Sequence, residues 1–166
     1  MSMKITDDLP MMAVAEIGII DDLIEQLKPE VCLEWGSGNS TLWFSRHESI
    51  KNWLSIEHNG HYVEYMKGKM PPNVQVVWTP DNYWYVDAVK LQGRRYDFIL
   101  VDGEQREACL NIAHDILNPD GIILLHDSGR DEYQEFIRLY KGQQLIEGEI
   151  PQGDGYAHRG LTLFTL

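Results

Sequence analysis

The sequence predicts an α/β fold, a doubly wound, mostly parallel seven-stranded sheet that ends in a C-terminal antiparallel hairpin. Three observations lead there. Short apolar runs alternate five times with stretches of helical periodicity. The fourth and fifth runs, 96–101 and 122–125, are apolar on both faces, as central strands covered by helices on both sides must be. After residue 141, two strand-like segments follow one another with no helical pattern between them, which suggests an antiparallel pair at one edge.

Each element has its own warrant. Residues 10–28 read as a helix, because Ile17, Ile20, Leu23, Ile24 and Leu27 recur at helical spacing, with acids on the other side. Pro29 ends it. Val31–Trp35 is the first strand and 40–48 the helix after it. The second strand, 53–57, precedes a helix over 60–69. Pro71 and Pro72 break the chain before the third strand, Val74–Trp78, and a helix covers 83–92. Tyr96–Val101 is the fourth strand, followed by a helix over 105–117. Asn118-Pro119-Asp120-Gly121 has the composition of a turn. The fifth strand is 122–125, the last helix 131–141, and the closing strands 145–150 and 161–166.

The totals narrow the function classes. A chain of 166 residues with 43% hydrophobic and 24% charged residues suits one globular domain over 1–166. A net charge of -12, with no Lys/Arg cluster to offset it, argues against a nucleic-acid partner. No apolar run approaches the ~20 residues of a membrane span, and the start, MSMKITDDLP, lacks the parts of a signal peptide. Cys32 and Cys109 are the only cysteines, and Cys32 lies inside an apolar run, so a reducing cytoplasm is expected. No segment reads as a repeat or a linker.

In open sheets of this kind, ligands bind beyond the carboxyl ends of the strands. After the first strand comes Glu34-Trp35-Gly36-Ser37-Gly38-Asn39-Ser40-Thr41. Gly36 and Gly38 permit a tight turn and a close approach to the backbone. Asn39 or Ser40 can cap the next helix, whose N-terminal amides face the same crevice. Glu57 ends the second strand about twenty residues further on, where a carboxylate can accept hydrogen bonds from two ribose hydroxyls. A dinucleotide fingerprint wants a third glycine at the position of Thr41. A nucleoside therefore fits better than NAD(P), which leaves an NAD(P)-dependent oxidoreductase as a lesser alternative.

Glu34-x-Gly36-x-Gly38 after the first strand, and Glu57 after the second, resemble class I S-adenosylmethionine-dependent methyltransferases of Rossmann-like fold. The seven-strand order with its terminal hairpin is also what that superfamily implies. GSGNST, VDGEQREAC and LLHDSGRDEY resemble an uncharacterised small bacterial subgroup of it. Ser40 departs from the third glycine that many members carry. The resemblance implies that Glu34, Gly36 and Gly38 hold the amino-acid end of S-adenosylmethionine; Ser37 and Ser40 in the same turn are further candidate cofactor contacts, and Trp35 is a candidate wall of the cofactor pocket. It implies that Glu57 binds the ribose with His58 beside the adenine, that Asp81 contacts the adenine amino group, and that Asp102 and Gly103 lie near the methyl group.

Methyl transfer from a sulfonium is an in-line displacement, and an acceptor hydroxyl needs a way to lose its proton. Asp102, Asp127 and His126 are the candidate catalytic residues. Asp102 and Asp127 together are candidate ligands for Mg2+, in the manner of metal-dependent O-methyltransferases, although the residue after Asp127 is Ser128 where those enzymes carry asparagine. His126 is the metal-free alternative, as a general base, or else a partly buried histidine satisfied by a carbonyl that faces away if Asp127 faces the cleft. Arg106 and Arg130 either bind an acidic substrate or, as the safer reading, pair with these acids. The glycine-rich segment 151–160 is either a hairpin loop or a closure over substrate through Tyr156 and His158. The expected function is methyl transfer to a small molecule, at oxygen, by a protein that forms a homodimer or works alone. A non-catalytic cofactor-binding protein is the alternative from another class.

Overall fold

The computed structural model describes residues 8–80, 82–147, 150–151, 157–158 and 160–166. Seven strands form one sheet. They are β1 (Val31–Trp35), β2 (Asn52–Glu57), β3 (Val74–Trp78), β4 (Tyr96–Val101), β5 (Leu117–His126), β6 (Gln143–Ile146) and β7 (Leu161–Phe164). The helices are α1 (Val14–Leu27), α2 (Asn39–Phe44), α3 (Gly60–Met66), α4 (Asn82–Tyr85), α5 (Arg106–Ile116) and α6 (Gln134–Leu139). Two 3-10 turns, Asp87–Gln92 and Asp131–Tyr133, complete the helical segments. A two-residue ribbon pairs Ile150–Pro151 with Ala157–His158.

The spatial order is β3-β2-β1-β4-β5-β7-β6. The first five strands run parallel, and β7 is antiparallel to both β5 and β6. Alternation along each strand sends side chains to opposite faces. Leu33, Ile56, Ile99 and Ile123 pack on one face with Leu110 and Phe136 from α5 and α6. Cys32, Trp53, Phe98 and Leu124 pack on the other with Ile17, Ile20 and Ile24 of α1 and Phe44 of α2. The doubly wound expectation is met, and Cys32 and Cys109 are buried core residues.

The elements differ from expectation mainly at their ends. α1 starts at Val14, not at residue 10, because Met12 N turns back to the Pro10 carbonyl and Ala13 is extended. The helix expected over 83–92 is α4 followed by a 3-10 turn. The expected turn at 118–121 is carried inside β5. Leu117 pairs with Tyr96 and pairing resumes at Phe98 with Ile122, so the four residues sit in an irregularity of the ladder. There Asn118 Nδ2 donates to Asp97 Oδ1 at 2.7 Å. The sixth strand is Gln143–Ile146, not 145–150; Ile150–Pro151 belongs to the separate ribbon.

This order positions the site. From β1 the chain winds outward through β2 and β3, then crosses back to β4 on the other side of β1. The carboxyl ends of β1 and β4 therefore diverge into a crevice.

Candidate active site

A cavity of about 410 Å³ opens over that crevice, within the range of small-ligand sites. One half is built from the turn after β1 and the end of β2. Gly36 has φ +122° and Gly38 φ +151°, conformations that side chains make strained. Gly36 N donates to the Ile56 carbonyl at 2.8 Å, which ties the turn to β2.

Glu34 lies beneath the turn and is fully buried. Four side chains donate to its two oxygens: Ser40 Oγ at 2.5 Å, Thr41 Oγ1 at 2.6 Å, Trp53 Nε1 at 3.0 Å and Ser55 Oγ at 3.1 Å. Burial pushes its carboxyl up to about 7, against the pull of the Ser40 and Thr41 hydrogen bonds. Thr41, at the third-glycine position, also accepts from Gly38 N at 3.2 Å, so its hydroxyl belongs to the turn.

Glu57 stands beside the turn, 3% exposed. Its oxygens accept from Asn59 N at 2.7 Å and Ser37 Oγ at 3.0 Å. His58 lines the same wall. Its Nδ1 is 3.3 Å from Glu57 Oε1 without forming a hydrogen bond, and its ring meets Tyr85 edge-on. Gly103 closes the floor. A Cβ there would sit 1.9 Å from Tyr85 Oη and 3.0 Å from the Trp35 carbonyl.

The other half gathers the ends of β4 and β5. His126 is buried and bridges two carboxylates, with Nδ1 2.7 Å from Asp102 Oδ1 and Nε2 3.0 Å from Glu16 Oε2. Desolvation opposes its charge, but Asp102 and Glu16 prevail and raise its pKa to about 10. Arg106 Nε donates to the Gly103 carbonyl at 2.8 Å, and its NH1 to the His126 carbonyl. Its guanidinium lies 3.5 Å from Asp102 and 3.8 Å from Asp127. Arg130 NH2 binds Asp127 Oδ2 at 2.9 Å. The expected ion pairs of Arg106 and Arg130 are present.

Nine of the expected cofactor residues, Glu34, Gly36, Ser37, Gly38, Ser40, Glu57, His58, Asp102 and Gly103, line this one cavity, together with His126 and Asp127. Trp35 does not. It is fully buried in the core, with its Nε1 on the Tyr85 carbonyl at 3.2 Å, because alternation along β1 turns it to the face opposite Glu34. Asp81 and Tyr156 lie outside the described residues, as does the side chain of His158.

Two chemical expectations change. A general base needs a lone pair, and His126, hydrogen-bonded to a carboxylate at each nitrogen, offers none at neutral pH. Mg2+ does not fit Asp102 and Asp127, whose carboxylates already face Arg106, Arg130 and His126. Among the described residues, no group of three His, Cys, Asp or Glu side chains is arranged for a metal ion. Asp127 turns through φ +53°, which sends Ser128 into the core, where its Oγ accepts from Thr162 Oγ1 at 2.8 Å.

Sequence reasoning passed over Glu16, Met11 and Tyr62. Glu16 had a signal: it lies one turn before Ile20 on the apolar stripe of α1, where an acid is out of place. Met11 and Tyr62 line the rim and carry no such mark.

Glu34 and His126 give stability a pH dependence. The folded Glu34 value of about 7 lies above its ordinary 4.5. The folded state therefore takes up a proton between the two, and stability falls as pH rises through that window. The His126 contribution is complete below 6.5 and is lost as pH rises through about 10. Urea unfolding from pH 5 to 10 is expected to show a falling midpoint. Glu34→Gln flattens the lower part and His126→Asn the upper; a midpoint that rises across the range contradicts both.

The fold and the cavity together define a class I methyltransferase architecture, with the expected strand order and a glycine turn at the end of β1. A family model described as a methyltransferase domain matches residues 33–128, more than half of the chain, and the chain belongs to that family. Solved structures agree in fold. Cofactor-bound Rv0187 from MTB is 18% identical with a TM-score of 0.72, over 93% of this chain and 82% of that one. A candidate caffeoyl-CoA O-methyltransferase from Staphylococcus aureus is 17% identical with a TM-score of 0.71, over 95% and 85%. A methyltransferase-like protein from Silicibacter pomeroyi is 19% identical with a TM-score of 0.67, over 96% and 90%. Comparison with curated proteins gives no match. Among the described residues, no helix is long and apolar enough to cross a membrane.

Proposed function

We propose that this chain is an S-adenosylmethionine-dependent methyltransferase that acts on a small, polar molecule at oxygen. The main support is one cavity that joins a bare glycine turn and a ribose-side carboxylate to a charged cluster at the ends of β4 and β5. The residues fit the cofactor. Main chain at Gly36 and Gly38 lies open to its amino-acid end, and Glu34 holds that turn in shape through Ser40 and Thr41. Glu57 would take the ribose hydroxyls, and His58, whose Nδ1 is buried and without a hydrogen bond, would stand beside the adenine.

When bound, the cofactor supplies an electrophilic methyl group; the chain supplies position. Asp102 would accept a hydrogen bond from the acceptor hydroxyl, orient its oxygen for attack, and take up its proton as the O–CH3 bond forms and the S–CH3 bond breaks. Arg106 and His126 keep the Asp102 carboxylate in place. Asp127 and Arg130 form the polar outer wall. The net charge of -12 and the absence of a basic patch in the sequence favour a small acceptor over a nucleic acid.

Calorimetry with S-adenosylmethionine, S-adenosylhomocysteine and NAD tests the cofactor. Micromolar binding of either sulfur nucleoside, and none of NAD, is expected. Folded protein that binds neither sulfur nucleoside rejects the proposal. Glu57→Ala is expected to weaken S-adenosylhomocysteine by ~1.5–3 kcal/mol, the range for hydrogen bonds to a charged group; an unchanged Kd removes Glu57 from the site. One observation favours a non-catalytic binding protein instead: His126 has no lone pair to offer as a base. Cofactor binding without turnover over a broad panel of hydroxylated acceptors would support that reading.

A further inference from the structure

We propose that Glu16 is a positioning residue of the acceptor site: its carboxylate, carried in on α1, clamps His126 against Asp102 and so fixes the Asp102 carboxylate at the mouth of the cavity. The proposal deepens the methyltransferase reading and rests on it for the meaning of "acceptor"; the ion triad itself does not depend on it.

The three groups come from distant parts of the chain. Glu16 belongs to α1, Asp102 follows β4 and His126 ends β5. Glu16 Oε2 is 3.0 Å from His126 Nε2, and His126 Nδ1 is 2.7 Å from Asp102 Oδ1. A neutral imidazole has one N–H, and two carboxylate acceptors call for two. The arrangement is therefore carboxylate–imidazolium–carboxylate. Among the described residues, the other charges facing His126 include Asp127 Oδ1 at 3.9 Å and the Arg106 guanidinium on the His126 carbonyl.

Glu16 is itself aimed by its helix. Its Oε2 also accepts from Ala13 N at 2.9 Å, so the N-terminus of α1 holds the carboxylate that holds His126. A helix that needed only burial would do better with leucine here. Glu16 is fully buried, and its second oxygen, Oε1, has no hydrogen-bond partner. Burying a charge with an unsatisfied atom is unfavourable, and removing one member of such a group strands the others. The gain falls at Asp102, the one member of the three with appreciable exposure, at 20% of its side chain. With its Oδ1 held by His126, Asp102 keeps a fixed direction in the cavity wall.

The test uses the full chain. Side-chain nitrogen and carboxyl-carbon NMR is recorded on the wild type and on Glu16→Gln. The wild type is expected to show both His126 nitrogens protonated at pH 8. Glu16→Gln keeps an oxygen for Ala13 N and removes only the charge. It is expected to lower the His126 titration midpoint by at least one pH unit and to shift the Asp102 carboxyl signal. Its affinity for S-adenosylhomocysteine should stay within twofold of the wild type, because the glycine turn and Glu57 are untouched. A neutral His126 in the wild type at pH 8 overturns the proposal, as does a lower melting temperature in Glu16→Gln with unchanged His126 and Asp102 signals, the mark of a purely structural glutamate. If Glu16→Gln fails to fold, the wild-type spectrum still decides. If no sulfur nucleoside binds while the NMR results hold, the cofactor proposal fails and the triad stands.

Discussion

Glu34→Ala is expected to destabilise the protein by about 3–5 kcal/mol, because each buried donor left without its acceptor costs about 1–3 kcal/mol. The reason is the number of donors left behind. Ser40, Thr41, Trp53 and Ser55 all point at the Glu34 carboxylate, and Glu34 is fully buried. Alanine removes the acceptor and leaves four donors without it, in a place water reaches poorly. For a chain of this size each kcal/mol moves the melting temperature by about 2–4 °C, so a drop of about 10 °C is expected by calorimetry. Cofactor affinity should fall with it, because Ser40 and Thr41 shape the turn and the start of α2. Glu34→Gln keeps one acceptor oxygen and should lose less. An alanine variant as stable as the wild type would mean that Glu34 does not clamp the turn.

Gly36→Val is expected to reduce S-adenosylhomocysteine affinity at least tenfold while the sheet still forms. At φ +122° a β-branched residue is strained by about 1–3 kcal/mol. Space is not the obstacle. A Cβ at Gly36 would meet the Asp102 and Gly103 main chain at 3.5–3.6 Å, an ordinary contact. The backbone must therefore relax, and it can do so only by moving the turn that faces the cavity. Titration calorimetry alongside far-UV circular dichroism separates the two effects. Wild-type affinity in this variant would show that the cofactor does not depend on the shape of this turn.

Much of the fold was legible because its signals are local. β1, β3 and β4 fall at the residues expected from apolar runs, and the glycine turn follows β1 as Gly36 and Gly38 suggest. The C-terminal region was harder. Asn118-Pro119-Asp120-Gly121 looks like a turn, and only the pairing of Leu117 with Tyr96 and of Ile122 with Phe98 reveals a strand that bulges through it. The glycine-turn half of the cavity was also largely readable, since each of its residues directly follows a strand. Trp35 was misplaced because neighbours in a strand face opposite sides, and Glu34 takes the side of the turn. The charged half was not readable. That His126 lies between Glu16 and Asp102 depends on contacts 110 and 24 residues apart. No spacing in the sequence reports such distances, and without them a histidine near two acids resembles a base.

The position of β7 has a consequence for the order in which the molecule assembles. β6 precedes β7 in the chain, yet it meets the sheet only through β7, which lies between it and β5. During folding, β6 has no partner until a later segment has slotted in beside β5. Over that interval the β5 flank stays open, a bare hydrogen-bonding rim of the kind through which neighbouring molecules add to one another. Substitutions that delay β7 docking would therefore tell first on the yield of refolding at high protein concentration, before they told on the finished molecule.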